Sequence, residues 1–109
     1  MKLSTLALAG LVATTNAASC RRWGDNISYV YEAGADGVGD IGGICNGLWD
    51  NLKAFSSCLV LYNTSCGQGS NGAGHLHWHF EVGMGCDAGS VEAAWFEATN
   101  NDYGSINCG

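Results

Sequence analysis

Residues 75–82, His-Leu-His-Trp-His-Phe-Glu-Val, alternate polar and apolar side chains without a break. A period of two over that length fits a β-strand with one dry face and one wet face, and it fits no helix. Leu76, Trp78, Phe80 and Val82 fall on the dry side. His75, His77, His79 and Glu81 fall on the wet side. The chain must therefore build a sheet that is covered on one face only, and the other face carries a ladder of imidazoles ending in a carboxylate.

What covers the dry face is legible elsewhere. Ile41, Ile44, Cys45, Leu48, Trp49, Leu52 and Phe55 recur at steps of three and four, the stripe of an amphipathic helix packed on a core. Asp40 suits its N-cap and Lys53 its C-terminal dipole. Val91, Ala94, Trp95 and Ala98 mark a second helix beginning near Asp87 or Ser90, closed by Asn100-Asn101-Asp102. Three further strands are expected: 27–32, where Ile27, Tyr29 and Tyr31 alternate with smaller or polar residues, 58–62, and 103–108. The stretch 33–43 is a glycine- and aspartate-rich loop, too acidic and without the lysine of a phosphate loop. Residues 63–74 read as a long polar connection.

The resulting order, β-α-β-β-α-β, is the ferredoxin-like arrangement: an α+β sandwich of a four-stranded antiparallel sheet with two helices on one face. The expected spatial order places 103–108, 27–32, 75–82 and 58–62 side by side, with the histidine strand central. A small β-sandwich with a helical excursion is the alternative.

The ends and the cysteines set the compartment. Residues 1–17 have a lysine start (Lys2), a short apolar run from Leu3 to Ala13 and small residues at Thr15 and Ala17. They read as a secretory signal peptide cleaved after Ala17, or alternatively Ala18, leaving 18–109 as one domain. All six cysteines lie beyond that leader. An even count in a short secreted chain implies three disulfides, and none of the close cysteine spacings of zinc knuckles occurs. Six cysteines allow fifteen pairings; the strand layout allows Cys20–Cys108, Cys58–Cys86 and Cys45–Cys66. Asn26-Ile27-Ser28 and Asn63-Thr64-Ser65 are sequons, so Asn26 and Asn63 are candidate glycan acceptors.

Charge narrows the partners. The formal net charge is −6. Beyond the leader the only basic side chains are Arg21, Arg22 and Lys53, so no basic patch exists for phosphate-driven binding to nucleic acid or to an anionic membrane. No other apolar stretch is long enough to span a bilayer.

A signal peptide, a short disulfide-rich domain with cysteines spread to both ends, and a βαββαβ order together resemble the small secreted cysteine-rich effectors of fungi. They are similar in particular to those with the killer-toxin fold of a virus-encoded toxin of corn smut. The resemblance spans residues 18–109. It implies an extracellular, disulfide-stapled, mostly non-enzymatic virulence or killer-toxin-like protein acting on host or competitor cells. No functional residue of that group maps onto a position here.

The wet-side residues His75, His77, His79 and Glu81 are the candidate partner-binding set, for an unknown protein or carbohydrate target outside the producing cell. Residues two apart on a strand are about 6.6–6.8 Å apart, so adjacent imidazoles such as His77 and His79 could share a metal ion. A third strong ligand is missing, and no metal site or cofactor is assigned. Imidazoles titrate near pH 6.5, so acidic fluid would charge this face. A small secreted hydrolase or metal-binding protein built on the same strand is the alternative function. Against catalysis stand the lack of a nucleophile elbow and the scarcity of cations to stabilise a phosphorane.

Overall fold

The computed structural model describes residues 18–24, 27–70 and 72–109. The expected leader 1–17 and the candidate acceptor Asn26 lie outside the described residues. The elements run β1 (Ser19–Gly24), β2 (Ser28–Ala35), α1 (Ile41–Leu52), β3 (Leu61–Gln68), β4 (Leu76–Gly83) and α2 (Ala88–Thr99), with a 3-10 turn at Ser56–Cys58. The strands form one four-stranded sheet in the order β1-β2-β4-β3, antiparallel at every junction.

The alternation in β4 does what its period dictates. Leu76, Trp78, Phe80 and Val82 are buried, while His77, His79 and Glu81 between them are half-buried. Tyr31, Ala33 and Ala35 of β2 join the buried side. Leu48 and Leu52 of α1 and Val91, Ala94 and Trp95 of α2 close over it. Trp78 is the hub: its ring is 5.9 Å from that of Trp49 on α1 and 6.5 Å from that of Trp95 on α2. Each large side chain so buried contributes roughly 1.5–3 kcal/mol.

Both helices are stopped and started by their caps. Asp40 accepts a hydrogen bond from the Gly43 amide, and Asp87 accepts one from the Ser90 amide. Asn100 ends α2 in the left-handed conformation at φ 54°. With Gly42, Gly43 and Gly47, α1 has poor intrinsic propensity, so packing holds it. Gly47 is where α2 comes close: a Cβ there would lie 3.4 Å from Cβ of Ala98.

The three disulfides join Cys20 to Cys108, Cys45 to Cys66 and Cys58 to Cys86. These are the pairs that the strand layout allows. The α+β class, the four-stranded antiparallel sheet and the two covering helices also agree with expectation.

The edge strand comes from the other end of the chain, so the element order is β-β-α-β-β-α. Residues 103–108 form no strand, and two of their backbone groups bond to side chains of α2 instead. Trp95 Nε1 donates to the Gly104 carbonyl at 3.0 Å, and the Cys108 amide donates to Glu92 Oε2 at 2.8 Å. Gly104, at φ 86°, turns the tail out of extended geometry. Ser19–Gly24 occupies the edge instead, all six residues pairing with β2. The second expected strand is also displaced. Cys58 is in the 3-10 turn, and the strand starts at Leu61 and runs through the polar stretch to Gln68. An edge strand needs only backbone partners from its neighbour, so polar residues serve there. A register shift between Tyr62 and Ser65 marks a bulge in β3, with Asn63 at φ 50°.

Candidate functional site

The face of the sheet turned away from the helices is organised in cross-strand rows. The pairing aligns Trp23, Val30, Glu81 and Tyr62 in one row. Arg21, Glu32, His79 and Ser65 form the next, and Ser19, Gly34, His77 and Gly67 the third. Directly opposed residues in such rows are near enough to interact through their side chains.

Glu32 is the centre of this face. Arg21 Nε donates to Glu32 Oε1 at 2.9 Å and Arg21 Nη2 lies 2.7 Å from the same oxygen. His77 Nε2 lies 2.8 Å from Glu32 Oε2. Arg21, then His77, by hydrogen bonds to the charged form, hold the Glu32 carboxyl below its ordinary pKa against a smaller opposing effect of burial. With both oxygens engaged, Glu32 serves as a fixed acceptor.

The other imidazoles are equally committed. His79 Nδ1 is 2.9 Å from the Asn63 carbonyl; a carbonyl only accepts, so Nδ1 carries the hydrogen. His75 Nδ1 is 2.6 Å from Asp36 Oδ1. The rings of His77 and His79 lie nearly parallel, 19° apart in plane with centroids 6.2 Å apart, each turned to its own partner. Among the described residues no group of three or more His, Cys, Asp or Glu side chains is disposed to hold a metal ion.

Glu81 differs from Glu32. Its Oε1 accepts from Asn63 Nδ2 at 3.0 Å and its Oε2 from the Ser28 hydroxyl at 2.9 Å. Both donors are neutral.

Two of the shallow cavities that flank the rows lie beside Glu32 and Glu81. One, of about 320 Å³, is lined by Ser19, Arg21, Glu32, Gly34, His75 and His77. Gly34 of β2, opposite His77, forms part of its lining. The other, of about 390 Å³, is lined by Ile27, Ser28, Val60, Tyr62, Glu81 and Gly83. Trp23 at 44% exposure and Tyr62 at 59% stand at opposite edges of the first row. The Arg21 guanidinium rests 4.8 Å from the Trp23 ring centre.

The structure thus brings His77, His79 and Glu81 onto one face, with His75 at its end. Arg21, Trp23, Glu32, Tyr62 and Asn63 complete that face, and these the sequence reading did not assemble. The row containing Arg21 and Glu32 was unreadable without β1. Asn63, the other candidate glycan acceptor, is exposed in the β3 bulge with its amide hydrogen-bonded to Glu81.

Comparison with known protein families, with curated proteins and with solved structures finds no match. Three disulfides in a domain of this size are typical of proteins that mature in oxidising compartments. Among the described residues no helix is long and apolar enough to cross a membrane.

Proposed function

We propose that this chain is a small secreted binding module, effector- or toxin-like, that engages a host or competitor target through the helix-free face of its sheet without chemical turnover. The observation that carries the proposal is the state of that face. It is open to solvent, holds exposed Trp23 and Tyr62 at its edges, and has its polar side chains already ordered against one another by Arg21–Glu32–His77 and Asn63–Glu81 contacts. Ordered side chains lose little entropy when a partner docks, and aromatic anchors supply most of the contact energy in many interfaces. The leader-like residues 1–17 and the disulfide frame support export.

The test applies the oxidised protein to candidate host or competitor cells, beside a Trp23→Ala/Tyr62→Ala variant. Both substitutions are at exposed positions, so near-UV and far-UV dichroism should match the parent. The parent should change growth, death or immune output, and the variant should not. A parent without effect across the candidate cells, or a variant as potent as the parent, would sink the proposal.

A further inference from the structure

Glu81 is a carboxylate on the open face that makes no ion pair with a cation among the described residues. Arg21 is spent on Glu32, as is His77, and His75 on Asp36. Among the described residues no lysine, arginine or histidine nitrogen lies within ion-pair distance of Glu81, whose two oxygens are aimed by the neutral donors Asn63 and Ser28. Neutral donors fix the geometry of a carboxylate and leave its charge in place.

Its surroundings are apolar and aromatic. In its own row Glu81 stands between Val30 and Tyr62. The 390 Å³ depression beside it adds Val60, 64% exposed, and the open face of Gly83, at which a Cβ would meet no atom within 4 Å. A carboxylate that lines an open cavity together with an aromatic and an aliphatic side chain matches a cation carried on an alkyl stem. The carboxylate pairs with the charge, the ring face attracts it, and the walls cover the methylenes. The long-range field agrees, since the net charge of −6 draws cations and repels anions.

We propose that the Glu81–Tyr62 depression is a receptor site for a lysine or arginine side chain of a partner protein. This rests on the binding-module reading and names the chemistry the partner must present. The cation would approach across β3, its stem against Val60 and Tyr62 and its head on the outer side of the Glu81 carboxylate.

The experiment is a titration of the 15N-labelled oxidised protein with a blocked glycine-lysine-glycine peptide, followed by amide shifts. The arginine peptide and the Nζ-acetylated lysine peptide are run in parallel. Shifts should concentrate at Val60, Tyr62, Glu81 and Gly83. The acetylated peptide should bind several-fold more weakly, and Glu81→Gln should weaken the lysine peptide by about two- to fivefold. Raising the salt concentration should weaken the charged peptides and not the acetylated one. Tyr62→Ala, at an exposed edge-strand position, serves as the second variant and should also weaken binding. Equal binding of the acetylated peptide, unchanged affinity in both variants, or shifts located elsewhere would each overturn the proposal. Such a failure with the Trp23→Ala/Tyr62→Ala cell assay still positive would leave the binding module standing with a different ligand chemistry.

Discussion

Glu32 on β2 and His77 on β4 meet at 2.8 Å across the strand junction, and Arg21 of β1 closes on the other oxygen of the same carboxylate at 2.7 Å. One side chain therefore ties three of the four strands together on the face that has no helices over it. The depressed Glu32 pKa carries a stability consequence whose sign is fixed. A carboxyl held lower in the folded state than its ordinary 4.5 stabilises the fold above that value, and the stabilisation disappears as pH falls through the folded value. Urea midpoints measured from neutral pH down to about pH 3 should show a loss in the parent below about pH 4.5 that is smaller in Glu32→Gln. Equal slopes in the two proteins would refute it.

Gly34 faces His77 in the middle of the sheet, and a Cβ there would come within 2.4 Å of the Leu76 carbonyl oxygen. That oxygen belongs to the backbone of the central strand and cannot swing away. Gly34→Ala should therefore cost about 1–3 kcal/mol through overpacking. Thermal or urea unfolding measures it directly, and a neutral substitution would show that β2 and β4 can separate there.

Trp78 is wholly buried, yet its indole Nε1 has no hydrogen-bond partner among the described residues. The indole N–H is a polar group whose desolvation nothing offsets. Trp78→Phe removes that group along with some packing, so the two effects oppose one another, and the loss should stay near 1 kcal/mol. Trp78→Ala, which empties the space between Trp49 and Trp95, should cost about 3–5 kcal/mol. Comparable losses in the two variants would show that the indole nitrogen is well solvated or paired.

The disulfides should rank by the chain they enclose. Cys20–Cys108 spans a separation of 88 residues, Cys58–Cys86 one of 28 and Cys45–Cys66 one of 21. Loop-closure entropy gives about 4–5 kcal/mol for the first and about 3–4 kcal/mol for each of the others. Paired cysteine-to-alanine variants, unfolded in urea, should follow that order. A Cys45→Ala/Cys66→Ala variant less stable than the Cys20→Ala/Cys108→Ala variant would contradict the ranking.

The residues that were legible in the sequence are those whose side chains report their environment. Leu76 to Val82 alternates because one face is buried, and Leu48, Leu52 and Trp95 recur at helical spacing for the same reason. Asp40, Asp87 and Asn100 mark helix ends because the chemistry of a cap is local. β1 was not legible. Ser19 to Gly24 is exposed at nearly every position, so no burial pattern is imprinted on it and only backbone pairing makes it a strand. β3 was half legible for the same reason: Asn63, Thr64 and Ser65 are polar because they sit on an exposed edge. Without β1 the tail 103–108 was the natural fourth strand, and the side chains of α2 that bond its backbone, Trp95 as donor and Glu92 as acceptor, leave no periodic trace in the tail itself. The candidate site inherits this gap. The imidazoles of His77 and His79 stand out in the sequence, but their partners Glu32 and Asn63 are defined by register and a bulge.

Joining Cys20 to Cys108 turns nearly the whole described chain into a covalent ring. One cut by a protease anywhere inside that ring converts a circle into a line and releases nothing, because every fragment end remains attached through the sulfur bridge. Two cuts at suitable places are needed to shed a piece, and the inner bridges reduce the places that qualify. A domain of this kind survives a first nick as a single molecule, its sheet and open face still held in register.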